Sequence, residues 1–185
     1  MNSFNKLFEA HKDAVFRLAL RYVNSAHDAE DITQEVFVSV YFGLDKFDKR
    51  SKVSTWIYRI TVNKCIDHLN ARKRKKRWGK VISLFGVWEV EQAIGDSAKS
   101  ADSALLEREL DDRVMQAIGG LPDNQQTSVI LARLEGRPQA EVAEIMGLSV
   151  KAVESLLQRA KKTLAENISN YNEGTSNKHR LNSKP

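Results

Sequence analysis

Apolar residues recur at helical intervals along most of the chain, and no stretch sustains the two-residue alternation of a half-buried strand. Phe4, Leu7, Phe8, Val15, Leu18, Ala19 and Tyr22 share helical spacing and predict a first helix. Ser25-x-x-Asp28 is a capping-box-like start for a second, because a serine hydroxyl there satisfies an amide with no partner inside the helix. Ala29, Ile32, Val36 and Val40 mark its buried face, and Gly43 ends it. Asp45 to Lys52 is a polar loop, after which Ser54 or Thr55 opens a third helix. That helix is apolar on two sides. Tyr58, Val62, Ile66 and Leu69 form one stripe, while Trp56, Ile57 and Ile60 lie largely on the other. Such a helix is central, packed from both sides through Ile57 and Ile60, with Trp56 suited equally to a core or to a partner. Together these helices predict a domain over residues 1–78.

Gly79 to Ser103 changes character. Its second half is dominated by Gly, Ser, Asp and Ala without a lasting period, which reads as a linker. Its apolar start, VISLFGVW, suits docking on a partner or on either domain, or a short packed segment. Leu106, Leu110, Val114 and Ile118 restore a helical stripe, and Gly119-Gly120-Leu121-Pro122 stops it. Pro122 fits the first turn of the next helix, where no N–H is needed. Val129, Ile130 and Leu134 carry that helix to Glu135-Gly136. Residues 104–169 are thus a second helical domain, and the polar stretch 170–185 is expected to be disordered. There is no internal repeat. The fold class that follows is all-α: two small helical domains joined by a flexible linker.

The most informative segment runs from Gln139 to Leu164. A short helix carries Val142 and Ile145, Gly147-Leu148-Ser149 breaks it, and a longer helix begins. On that longer helix Val150, Val153, Leu157, Ala160 and Leu164 fall on one apolar stripe, with Lys151, Ser155, Gln158 and Lys162 opposite. Two helices joined by a tight Gly-containing turn make a helix-turn-helix, whose second helix enters the DNA major groove. Lys151, Glu154 and Ser155 are placed to reach base edges, and Glu can accept from cytosine N4. Gln158, Arg159, Lys161 and Lys162 fall nearer phosphates. The plain alternative is an amphipathic helix with a solvated charged face.

Charge sharpens this picture. The 185 residues include 29 Lys and Arg against 24 Asp and Glu, a net charge of +5, but the distribution is uneven. Arg72 to Arg77 reads RKRKKR, while Asp28, Glu30, Asp31 and Glu35 make an acidic patch. The cationic run extends a helix bearing Trp56, Arg59, Asn63 and Lys64. Cations interleaved with an aromatic suit single-stranded DNA, whose bases stack on flat side chains. A charge run can also be simply solvated. Asp28, Asp31 and Glu35 share one helix face with Gln34 beside them; unpaired like charges so close cost a few tenths of a kcal/mol, which suits a basic partner, with ordinary surface solvation the equal alternative.

Other chemistry is sparse. One cysteine, Cys65, excludes an internal disulfide and fits a reducing compartment. No apolar run approaches a membrane span, and MNSFNKLFEAHKD lacks a signal core, so a soluble cytoplasmic protein without membrane insertion is expected. Cys65 and His68 offer two ligands where a structural zinc needs about four, so Cys65 reads as a small buried residue and His68 as a surface one. No metal or other cofactor is expected. No phosphate-cradling glycine loop or catalytic constellation is present, so the chain does not read as an enzyme.

Taken together, the chain resembles the extracytoplasmic-function (ECF) subfamily of the sigma-70 family of bacterial RNA polymerase sigma factors. The resemblance is carried by DAEDITQEVFVSVY (Asp28 to Tyr41), FDKRSKVSTWIYRITVNKCIDHL (Phe47 to Leu69) and LPDNQQTSVILARLEGRPQAEVAEIMGLSVKAVESLLQRAKKTL (Leu121 to Leu164), in the family's order and spacing. It implies that 1–78 is region 2, 79–103 a linker threading toward the RNA exit path, and 104–169 region 4. Asp28, Asp31, Gln34 and Glu35 would then dock on the β′ clamp helices of core RNA polymerase. Lys49, Arg50, Ser54, Thr55, Trp56, Arg59, Asn63, Lys64, Arg72 and Arg74 would bind and melt the −10 element, including a base turned out of the stack. Arg137, Gln139, Ser149, Lys151, Ala152, Glu154, Ser155, Gln158, Arg159 and Lys162 would read the −35 element as duplex, while the apolar surface of region 4 grips the β flap. An anti-sigma factor is expected as a negative regulator. The chain departs from the family where many relatives read close to T-V-K-S-R-L. Here Glu154 and Leu156 replace two cations, and Arg137 and Gln139 are the expected compensation. Two other readings compete: a stand-alone helix-turn-helix regulator, and a pure protein-interaction module. The RKRKKR helix and the acidic stripe have little use in a regulator acting without polymerase.

Overall fold

The computed structural model describes residues 3–47, 51–84 and 113–181, and every element among them is helical. They form α1 (Ser3–Val23), α2 (Ala26–Gly43) with a 3-10 turn (Leu44–Lys46), and α3 (Val53–Leu84). After a helical stretch at 113–119 come α4 (Asp123–Val129), a π-helical turn (Ile130–Leu134), α5 (Gln139–Met146) and α6 (Val150–Leu181). No helix among the described residues is long and apolar enough to cross a membrane. The chain divides into two compact units. One gathers Met1–Arg50 and Ile60–Glu109, the other Ser51–Arg59 and Leu110–Pro185.

The first unit is built on the α1–α2 pair. Asn24, in left-handed conformation at φ 49°, reverses the chain between them, a conformation Asn tolerates better than most residues. Ser25 then caps α2, its Oγ accepting from the Asp28 amide at 3.3 Å. Val15, Leu18, Ala19 and Tyr22 of α1 are buried, as are Ala29, Ile32, Val36 and Val40 of α2, the face that the spacing predicts. Thr61, Val62 and Cys65 are the buried positions of α3 in this unit.

In the second unit Ile118, Leu121, Ile130, Leu131, Val142, Ile145, Val153, Leu156 and Ala160 are buried. The helix begun at Asp123 does not stay α-helical to its end. The Glu135 amide reaches back to the Ile130 carbonyl at 2.9 Å, and the Arg137 amide to Leu131 at 3.0 Å. This wider winding leaves no mark in hydrophobic spacing, which is why Leu134 reads as ordinary helix in the sequence.

Three boundaries differ from expectation. α3 begins at Val53, so Ser54 and Thr55 lie inside its first turn, where the Trp56 amide bonds the Lys52 carbonyl at 3.1 Å. It runs through Gly79 to Leu84, beyond the expected boundary at residue 78. The Lys and Arg residues before Gly79 are good helix formers and carry the helix past one glycine. Helix α6 extends to Leu181, into the stretch expected to be irregular, with no proline to interrupt it. Phe85 to Trp88 of the apolar linker start, and Leu106 and Leu110 of the following stripe, lie outside the described residues.

Candidate nucleic-acid and partner interfaces

Helix α3 sorts its polar residues onto two sides. Trp56, Arg59, Asn63 and Arg74 stand at helical repeats on one stripe, opposite buried Val62 and Cys65. Arg59, Asn63 and Arg74 are exposed and Trp56 is half-buried. Asp67, also exposed, lies on the same stripe and was not singled out from the sequence. Lys64 and Arg72 are turned to the flank that faces α2. There Lys64 Nζ donates to Glu35 Oε2 at 3.1 Å, and Arg72 Nη1 to Asp28 Oδ2 at 3.4 Å. His68 Nε2 approaches the same Asp28 oxygen at 3.7 Å, so His68 is an inter-helix neighbour rather than a plain surface residue. The sequence reading treats the acidic stripe as unpaired; Asp28 and Glu35 instead have partners on α3, and Asp31 lies 3.8 Å from His27 on its own helix. Gln34 is exposed beside them.

The predicted strand-binding set is thus divided. Ser54 is half-buried, and Thr55 is only 1% exposed, its Oγ1 without a hydrogen-bond partner among the described residues. Thr55 therefore packs inward and does not present a side chain to a ligand. Lys49 and Arg50 lie outside the described residues.

In the second unit the turn geometry is that of a helix-turn-helix. Gly147 ends α5 in left-handed conformation (φ 68°, ψ 33°), and the Leu148 amide closes on the Ala143 carbonyl at 2.9 Å. Ser149 then caps α6, its Oγ accepting from the Ala152 amide at 3.2 Å. Ser149 therefore starts the second helix of the pair. Lys151, Ser155, Arg159 and Lys162 are exposed along α6, and Ala152 is half-buried. Glu154 and Gln158 are exposed as well, and with Gln139 they line a groove shared with Val129, Leu157 and Leu164, Arg133 and Lys161 alongside. The buried stripe of α6 is Val153, Leu156 and Ala160, while Val150 is 42% exposed. Leu156 is thereby a core residue.

Arg137, expected to compensate for the lost cations, is occupied otherwise. Its guanidinium lies 3.6 Å from the Tyr58 ring centroid and pairs with Glu141, with Nε buried and unpartnered among the described residues. Arg59 of the same unit donates to the Glu144 carbonyl and, at 3.2 Å, to that of Ile145. These are the C-terminal carbonyls of α5, which a cation stabilises.

Burial pushes the Cys65 thiol up to about 12, so it is no nucleophile. Among the described residues no three His, Cys, Asp or Glu side chains gather as metal ligation would need.

Residues 7–75 match Sigma-70 region 2, and residues 111–164 match Sigma-70, region 4. The ECF RNA polymerase sigma factor SigW of Bacillus subtilis is 31% identical over 170 residues, spanning 90% of this chain and 89% of that protein. The ECF RNA polymerase sigma-E factor of Escherichia coli K12 is also 31% identical over 170 residues, spanning 90% and 86%. Among solved structures, CnrH in complex with the cytosolic domain of CnrY matches with a TM-score of 0.60 at 25% identity, over 90% of this chain and 87% of that one. Sigma factor RpoE of Bartonella quintana, in complex with the anti-sigma factor NepR, shares the fold with a TM-score of 0.61 at 20% identity, over 91% and 98%. With both sigma regions present in order and full-length relatives above 30% identity, the chain belongs to the ECF subfamily of the sigma-70 family of RNA polymerase sigma factors.

Proposed function

We propose that this chain directs core RNA polymerase to promoters and nucleates their melting. The observation that carries the reading is the coexistence of two different nucleic-acid faces in one sigma chain. The α3 stripe of Trp56, Asn63 and Arg74 combines an aromatic with a cation, as unpaired strands require. The capped α6 start, with Lys151, Ser155, Arg159 and Lys162 exposed, has the form of a major-groove reader for a −35 element. Stacking on a side chain stabilises an unpaired base by roughly 1–3 kcal/mol, a gain the closed duplex cannot make. Capture of −10 bases therefore opens DNA without nucleotide hydrolysis. Asp31, Gln34 and Glu35, exposed on α2, are the anchor to the β′ clamp helices, joined by Asp28. The groove lined by Val129, Leu157 and Leu164 is suited to an apolar element such as the β flap. The protein acts where polymerase does, in the cytoplasm, as a specificity subunit and not as a catalyst.

Purified core enzyme on genomic promoter templates tests this. A run-off transcript that requires the protein is expected, and no protein-dependent transcript on any template would overturn the reading. Control by an anti-sigma factor belongs to the same proposal. Native co-purification should return such an inhibitor, and recovery of polymerase with no inhibitory partner counts against it.

A further inference from the structure

The α2–α3 contact joins residues from the two proposed binding sets. Asp28 and Glu35 are two turns apart on α2. Lys64 and Arg72 are slightly more than two turns apart on α3, which runs the other way. The register therefore sets Glu35 against Lys64 at 3.1 Å, and Asp28 against Arg72 at 3.4 Å with His68 beside it at 3.7 Å. Neither pair is sealed from solvent: Glu35 and Arg72 keep 63% and 62% of their side-chain surface exposed. Each carboxylate belongs to the proposed polymerase anchor, and each of the two cations to the −10 DNA set that the family resemblance implies. A lysine held on its own carboxylate is a weaker attractor of phosphate, because the pair is close to neutral at any distance beyond its own length.

We infer that these pairs form an electrostatic latch, in which the protein alone keeps Lys64 and Arg72 on its own carboxylates. A cationic partner docked on Asp28 and Glu35 releases the two cations to DNA phosphates. The inference rests on the anchor role given to Asp28 and Glu35 under Proposed function and on the −10 DNA role that the family resemblance implies for Lys64 and Arg72. Exposed ion pairs shift a competing equilibrium by only about 1.5- to 5-fold each, small enough for a partner to reverse. By linkage, whatever factor polymerase docking adds to DNA affinity, DNA adds to docking.

The test is a mutant cycle on the full chain, read by fluorescence anisotropy of a labelled single-stranded oligothymidine at low salt. Glu35→Gln removes a latch carboxylate. Glu30→Gln removes the same charge from the opposite side of α2, away from both cations. Glu35→Gln should tighten binding by about 1.5- to 5-fold beyond Glu30→Gln. That excess should vanish when Lys64→Gln is also present. Asp28→Asn should behave likewise toward Arg72→Gln, with a thermal melt confirming that both variants fold. Equal effects of Glu30→Gln and Glu35→Gln would overturn the latch, as would an excess that survives Lys64→Gln. Run-off transcription with the unaltered protein separates the two levels of the argument. A protein-dependent transcript with a flat mutant cycle removes the latch alone, whereas failure of both run-off and DNA binding removes the sigma reading and the latch with it.

Discussion

Cys65 is wholly buried in α3, and burial alone raises its thiol from an ordinary value near 9.0 to about 12. A thiol that ionises later in the folded protein than in the unfolded chain makes stability fall as pH rises. Its contribution is intact below about pH 9 and is lost between there and about pH 12. At pH 10 a loss of roughly 1 kcal/mol is expected, read as a lower urea midpoint, and Cys65→Ala should flatten that pH dependence. Gly147 gives a second test at this scale. Its φ of 68° suits glycine, and an added Cβ would meet nothing within 4 Å, so the cost of Gly147→Ala is backbone strain alone. Roughly 1–2 kcal/mol of destabilisation is expected in urea unfolding, with Gly147→Asn milder. Much at this scale is legible in the sequence. The Ser25 cap, the buried Cys65 and the Gly147 break all follow from local chemistry. The inward packing of Thr55 and the capture of Arg137 by Tyr58 and Glu141 do not. Both depend on neighbours far along the chain.

At the scale of elements, periodicity gives existence more securely than phase. The buried face of α2 is the one its spacing predicts. On α6 the predicted stripe centres on Val150, Val153, Leu157, Ala160 and Leu164, whereas burial centres on Val153, Leu156 and Ala160. With leucine at both 156 and 157, the pattern is ambiguous by one residue, and packing against α4 and α5 chooses. Leu156→Ala should therefore cost about 2–5 kcal/mol in urea unfolding. Leu157→Ala, in the groove lining, should cost clearly less. Equal costs would mean that the helix is rotated from its described position.

At the scale of the whole molecule, the proposed function is a division of labour between a strand-capturing helix and a duplex-reading helix-turn-helix. Trp56→Ala should reduce run-off from fully duplex promoters by about five- to a hundredfold, as loss of roughly 1–3 kcal/mol of base stacking implies. Templates whose −10 strands are already unpaired should lose less, because melting no longer has to be driven. An equal loss on both would assign Trp56 to folding, not to opening.

Beyond the two sigma regions, which the family resemblance implied, the sequence alone determined the helical class, the caps and breaks and the polar residues each face could offer. Those features arise from hydrogen bonding and spacing within a few turns of chain, where every participant is adjacent in the text. Only tertiary structure decided which charges are already spoken for, which leucine of α6 is buried, and where a helix loosens into a π turn. These depend on the register between helices whose residues lie tens of positions apart: Asp28 and Arg72 meet because α2 and α3 pack, not because either sequence requires the other.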